Sequence, residues 1–128
     1  MFKIIIADDH PVVMQALKKI ILEEFPGVYV EEATDTSSLL EKVSGSTWHL
    51  VISDLAMPGG GGFFALEKIK KSKKRLPVII LSTYPAEQYK SPILKAGAED
   101  FISKDALPGG LIKAVKRILG TDHSPEQY

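Results

Sequence analysis

Five short apolar runs punctuate the chain: Phe2–Ala7 (FKIIIA), Val28–Ala33 (VYVEEA), Leu50–Ser53 (LVIS), Val78–Ser82 (VIILS) and Asp100–Ser103 (DFIS). Each is brief, rich in β-branched residues and bounded by Gly, Pro, Asp or Ser, which predicts strands. The first, third and fourth are nearly continuous rather than alternating. Strands apolar on both faces belong at the centre of a parallel sheet covered by helices. Between the runs the apolar positions follow a helical period. Val13, Ala16, Leu17, Ile20 and Ile21 share one face, as do Leu111, Ala114, Val115, Ile118 and Leu119. Leu39, Leu40 and Val43 form a shorter stripe that Asp35 can cap, and Ala65, Leu66 and Ile69 form another. Strand and helix alternate throughout, and right-handed crossovers then build an α/β sandwich.

One segment breaks the alternation. The stretch from Tyr84 to Asp100 should hold the fourth helix, but Pro92 stands in its middle. A proline inside a helix costs about 3 kcal/mol, whereas the first turn tolerates it. The helix is therefore expected to start at Ser91 or Pro92, after an irregular stretch over 84–90. A longer helix, kinked at the proline, is the competing reading.

At 128 residues the chain is one domain with room for a single core, and its 45% apolar and 25% charged residues are ordinary for a globular protein. The 16 basic and 16 acidic side chains cancel, so no global charge draws it to nucleic acid or membrane, and any such attraction has to come from a local patch. The absence of cysteine rules out disulfides, thiolate metal sites and cysteine nucleophiles. The opening MFKIIIADDHP is too short in apolar residues for a signal peptide or a membrane span, which points to a soluble, cytoplasmic chain. Residues 1–120 are expected to form the domain, and the polar, aperiodic 121–128 a linker or frayed tail.

In an open parallel sheet the loops at the carboxyl ends of the strands form the binding crevice. The first strand ends in Asp8 and Asp9, the third in Asp54, the fourth in Ser82 and Thr83, and the fifth in Ser103 and Lys104. Three carboxylates, hydroxyls and an ammonium thus converge on one rim. Two like charges 4 Å apart cost about 4 kcal/mol at an effective dielectric near 20, so the acids require compensation. Lys104 supplies part. A hard divalent cation such as Mg²⁺ suits the rest, and an aspartate beside both is poised to attack phosphorus. Any one of these aspartates alone reads as an ordinary turn residue; the conjunction with Lys104 is what points to a site.

The four glycines Gly59–Gly62 are not a nucleotide cradle, because Phe63-Phe64 follows where a P-loop needs Lys and then Ser or Thr. They read as a flexible turn that lets backbone approach the site closely. His10, His49 and His123 have no ligand spacing, and Trp48 reads as a packing residue. Phe64, beside core-facing Ala65 and Leu66, is a candidate exposed contact. The basic run KIKKSKKR (Lys68–Arg75) lies at a helix end, where cations favour the dipole, and without interleaved aromatics it reads as a solvated face.

These motifs together, ADDHPVV after the first strand, SDLAMPGGGG around the third, LST closing the fourth and AGAEDFISKD around the fifth, resemble a response-regulator receiver domain of two-component signalling. Asp105 after Lys104, where many receivers carry proline, is similar to the NarL/FixJ (LuxR-type) subfamily. The resemblance spans nearly all of residues 1–120. It implies a flavodoxin-like (βα)5 fold, a doubly wound parallel five-stranded sheet in the order 2-1-3-4-5.

By the same resemblance Asp54 is the phosphoacceptor. Asp8 and Asp9 hold Mg²⁺ together with Asp54 and the Ala56 backbone carbonyl, Lys104 pairs with a phosphoryl oxygen, and Ser82 and Phe101 are the switch residues. On phosphorylation Ser82 would move toward the phosphoryl group and Phe101 would turn inward. The implied partner is a sensor histidine kinase, with a receiver homodimer also implied and no membrane. The implied activity is that of a phosphoacceptor catalysing its own phosphorylation and dephosphorylation, not of an enzyme with a separate substrate.

Members of the subfamily usually carry a helix-turn-helix DNA-binding domain after the receiver. None is present in these residues, so the expectation is either the receiver portion of a longer transcription regulator or a single-domain receiver. Departures from the resemblance are the glycine run, Pro92 in the fourth helix and Gly109-Gly110 opening the fifth. Two other readings fit less well. A haloacid-dehalogenase-like phosphatase needs a second aspartate where Ala56 stands, and a flavodoxin-like cofactor binder needs a hydroxyl-rich phosphate loop after the first strand.

Overall fold

The computed structural model describes the backbone of residues 1–123 and the side chains of residues 1–120. Strands and helices alternate: β1 (Lys3–Ala7), α1 (Pro11–Glu24), β2 (Tyr29–Ala33), α2 (Thr36–Gly45), β3 (Leu50–Asp54), α3 (Gly61–Ser72), β4 (Val78–Ser82), α4 (Ala86–Lys95), β5 (Asp100–Ser103) and α5 (Gly109–His123), with a 3-10 turn at Lys104–Ala106. The five strands pair in parallel in the order β2-β1-β3-β4-β5, as expected. Because strand side chains alternate between faces, β1 feeds two cores. Ile5 and Ala7 meet the apolar faces of α2, α3 and α4, while Ile4 and Ile6 meet those of α1 and α5. The continuous apolar runs of β1, β3 and β4 are thus buried on both sides.

Most of the helix faces lie where the apolar period puts them. Ala65, Leu66 and Ile69 of α3 are buried, as are all five predicted positions of α5. Asp35 caps α2, its carboxylate accepting the Ser38 N–H at 2.7 Å. In α1 the buried stripe is Met14, Leu17 and Ile21, whereas Ala16 is exposed. The face is turned from the expected one because the unbranched Met14 fills the core position. Trp48 is buried, its indole donating to the Lys42 carbonyl at 2.8 Å, and Phe64 is exposed. α5 runs to His123, so the stretch expected to be linker begins helically, and residues 124–128 lie outside the described residues.

Of the irregular stretch expected at 84–90, only Tyr84 and Pro85 lie outside a helix. α4 is continuous from Ala86 to Lys95, with Pro92 inside it. The reason is that the proline removes only one backbone bond, the one to the Gln88 carbonyl, and both residues are exposed, so water can take that place. Against that reduced cost stands Ile93, fully buried, with Tyr89 packed on the same cluster. Burying such a side chain is worth about 1.5–3 kcal/mol. Pro85, extended at φ −61° and ψ 135°, starts the helix, and the Gln88 N–H donates to its carbonyl at 3.3 Å. Among the described residues no helix is long and apolar enough to cross a membrane.

Candidate functional site

The parallel register brings the predicted residues to the C-terminal rim of the sheet. Ala7 of β1 stands opposite Ser53 of β3, and Asp54 opposite Leu81 of β4, so Asp8, Asp54 and Ser82 follow at nearly one level. Asp8 and Asp54 are 1% and 4% exposed. Lys104, at the start of the 3-10 turn after β5, reaches between them. Its Nζ lies 3.2 Å from Asp8 Oδ2 and 3.3 Å from Asp54 Oδ1. One ammonium therefore serves two buried carboxylates, with Asp9 beside them more exposed. The Asp54 pKa is raised, chiefly by burial and further by the Asp8 charge. Lys104 and the Ala56 backbone N–H pull it down without cancelling that effect.

His10 joins this cluster although its sequence spacing gave no hint of it. Its Nδ1 lies 3.0 Å from Asp8 Oδ1 and 3.2 Å from Asp9 Oδ1, and its backbone N–H donates to Asp8 Oδ1 at 2.8 Å. The readable signal was position: His10 immediately follows the acidic pair and occupies the N-cap of α1. Asp8, Asp9, His10 and Asp54 each offer a ligand atom, all within 4.8 Å of one another. Three carboxylates with one lysine between them leave uncompensated negative charge, and hard oxygens of this kind fit a divalent cation such as Mg²⁺.

The glycine run holds the floor of the site in place. Gly59, Gly60 and Gly61 have φ between 81° and 120°, a region that side chains disfavour. A Cβ on Gly62 would stand 2.4 Å from the Asp54 carbonyl oxygen, so the start of α3 packs directly on the backbone of the aspartate. Buried Thr36, whose role the sequence did not reveal, ties this loop to α2. Its Oγ1 accepts the Gly61 N–H at 3.1 Å, and its own N–H donates to the Pro58 carbonyl at 2.9 Å. The run is a close-packed joint, tighter than the flexible turn expected.

The family description "Response regulator receiver domain" matches residues 4–116 of this chain. The chain belongs to the response regulator receiver family. The receiver is 37% identical over 123 residues to the glycerol metabolism activator of Pseudomonas putida, covering 93% of this chain and 54% of that protein. Among solved structures it is similar to a LuxR-family two-component response regulator from Aurantimonas, with 28% identity, a TM-score of 0.85, and 93% of this chain and 85% of that one covered. It is also similar to the RcsB response regulator of Salmonella typhimurium, with 31% identity, a TM-score of 0.85, and 94% and 60% covered. The receiver spans about half the length of the curated relatives it matches.

The remaining expected residues of the receiver fall as follows. Ser82 is fully buried, and its Oγ accepts the Tyr84 N–H at 2.8 Å, whereas Thr83 is exposed and stays outside the site. Ala56 lies in the exposed bend after β3. Phe101 is 4% exposed within the α2–α3–α4 core, so its ring is already turned inward and the expected inward movement has no outward starting point in this structure.

Proposed function

We propose that this receiver accepts a phosphoryl group on Asp54 from the phosphohistidine of a sensor histidine kinase. The observation that carries the reading is the placement of Asp54: a buried carboxylate at a strand end, 3.3 Å from Lys104 and within one ligand sphere of Asp8 and Asp9. An Asp54 oxygen forms the new P–O bond as the P–N bond breaks, and the imidazole leaves with the electron pair. Asp8, Asp9, Asp54 and the Ala56 carbonyl would hold Mg²⁺, which supplies counter-charge for the phosphoryl oxygens. Lys104 takes one of those oxygens as a charge-assisted partner.

Burial keeps water scarce around Asp54, so adding about −1.5 to −2 units of charge there demands a local response. The Ser82 hydroxyl, held by the Tyr84 N–H, is the group free to exchange partners, and buried Phe101 couples that exchange to the β5 surface. The same groups, acting with water, would hydrolyse the acyl phosphate, so the receiver catalyses its own phosphorylation and dephosphorylation. Its similarity to RcsB, which has been solved as dimers bound to DNA, supports a homodimer and a LuxR-type transcriptional output carried by a further DNA-binding domain.

The test is intact mass after incubation with acetyl phosphate and Mg²⁺. One base-labile phosphoryl group is expected, not formed when Mg²⁺ is chelated beforehand and absent in Asp54→Asn. Undiminished labelling of that variant would contradict the assignment.

A further inference from the structure

The opposite rim of the sheet carries a second concentration of charge. Six cations, Lys68, Lys70, Lys71, Lys73, Lys74 and Arg75, fall in eight residues, with no acid between Glu67 and Glu87, in a chain whose net charge is zero. None of the six makes an ion pair among the described residues. Attraction to the helix dipole favours Lys70 and Lys71 in the last turn of α3, which ends at Ser72, without requiring both, and the effect fades beyond it. Lys74 and Arg75 lie past that end and need another explanation.

They are also held in place. Lys73 Nζ donates to the Val43 carbonyl and to the Ser46 carbonyl, at 2.7 Å in each case, and Lys70 Nζ to the Leu76 carbonyl at 2.6 Å. The Leu76 N–H closes a turn onto the Lys73 carbonyl at 3.1 Å, and the Leu76 side chain is buried. Exposed Lys74 and Arg75 are the two central residues of this anchored turn. A groove of about 520 Å³ separates them from Thr47, Trp48 and His49.

The chain also departs from this rim. The strands are parallel and each helix returns, so every helix ends here. Lys116, Leu119 and Gly120 of α5 share a groove with Phe2 and Val28. Lys3 in turn joins His49, its N–H donating to Nδ1 and its carbonyl accepting the His49 N–H, both at 2.9 Å. A DNA-binding segment following α5 would start at the same rim as the basic turn, from the opposite face of the sheet.

We infer that Lys71, Lys74 and Arg75 form a contact surface for the phosphodiester backbone of double-stranded DNA, neutralising phosphates next to a DNA-binding segment without reading bases. For its partner this rests on the transcriptional reading above, but not on the chemistry of Asp54. A lipid surface fits less well, because the apolar residues of the groove, Trp48 and Leu76, are buried and leave nothing to insert.

The test uses the 128-residue chain itself, titrated with a short DNA duplex and followed by amide NMR. Saturable shifts are expected at residues 47–49 and 71–76. Affinity should fall roughly 40-fold between about 25 and 100 mM salt, the slope for three neutralised phosphates. The triple variant Lys71→Glu, Lys74→Glu, Arg75→Glu should lose the shifts yet keep its melting temperature and its labelling with acetyl phosphate. Absent or scattered shifts, or a slope too shallow for two phosphates, overturn the inference. So does equal binding to poly-glutamate at matched charge, or tighter binding to phosphatidylserine vesicles. Labelling of the same samples keeps a failure here distinct from a failure of the phosphoacceptor reading.

Discussion

At the C-terminal rim of the sheet, Asp8 and Asp54 are buried, share one lysine, and stand against a loop with no room for a methyl group. At the N-terminal rim, six cations crowd a helix end and the turn after it, without an ion pair among the described residues and exposed or bonded to carbonyls. Both rims hold like charges, and burial shifts a group at each: it lowers the Lys70 pKa at the basic rim and raises that of Asp54 at the acidic one, where a second buried acid stands beside it. Two charges 4 Å apart interact at about 1 kcal/mol in water and about 4 kcal/mol at a dielectric near 20. Solvent screens the exposed cations Lys71, Lys74 and Arg75 and leaves them open to a partner. Burial withholds that screening from the acids, raises the Asp54 pKa and makes the site depend on counter-charge.

The contrast breaks first at Lys104. Replacing it in Lys104→Met removes the one cation between two buried acids and should cost about 3 kcal/mol near neutral pH. The sign with pH follows from Asp54. Its folded pKa is raised, so the penalty on its charged form is full above that value and absent below the unfolded one. The deficit of Lys104→Met should therefore shrink as pH falls through the raised pKa, read by urea denaturation across pH. A deficit independent of pH would mean that packing, and not charge, is what Lys104 supplies.

A pair of glycine substitutions sharpens the same comparison. Gly62→Ala drives a methyl group to 2.4 Å from the Asp54 carbonyl oxygen and should destabilise by about 2–3 kcal/mol. Gly120→Ala, in α5 at the other rim, meets nothing within 4 Å and should stabilise by about 0.5–1 kcal/mol through helix propensity. Thermal unfolding of both variants checks the pair, and equal effects would remove the claimed difference in packing. Smallest of all, Arg75→Ala should leave stability within about 0.5 kcal/mol of the parent, because the residue is exposed and makes no ion pair among the described residues.

The alternation of apolar runs made the sheet legible, and with it the rim where Asp8, Asp9, Asp54 and Lys104 meet, since parallel order alone brings strand ends together. Other features depended on contacts between distant residues. Pro92 argued locally against a helix over 84–90, but the anchor at Ile93 and the exposure of Gln88, whose carbonyl the proline leaves without its helical donor, outweigh it. Nothing in the period of α1 distinguishes Ala16 from Met14 as the core position; the shape of the α1–α5 layer does. Thr36 and His10 join the site through a loop and a cap whose geometry no spacing encodes. The glycine run was readable as close approach, although not as contact with the backbone of Asp54 itself.

The most direct measurement is chemical trapping of the labelled carboxylate. The chain is treated with acetyl phosphate and Mg²⁺, reduced with borohydride so that an aspartyl phosphate becomes homoserine, digested and sequenced by mass spectrometry. Homoserine at position 54 alone, with Asp8 and Asp9 intact, is the predicted result. Homoserine at 8 or 9, or no homoserine at 54 in a chain that has gained a phosphoryl group, would contradict the account.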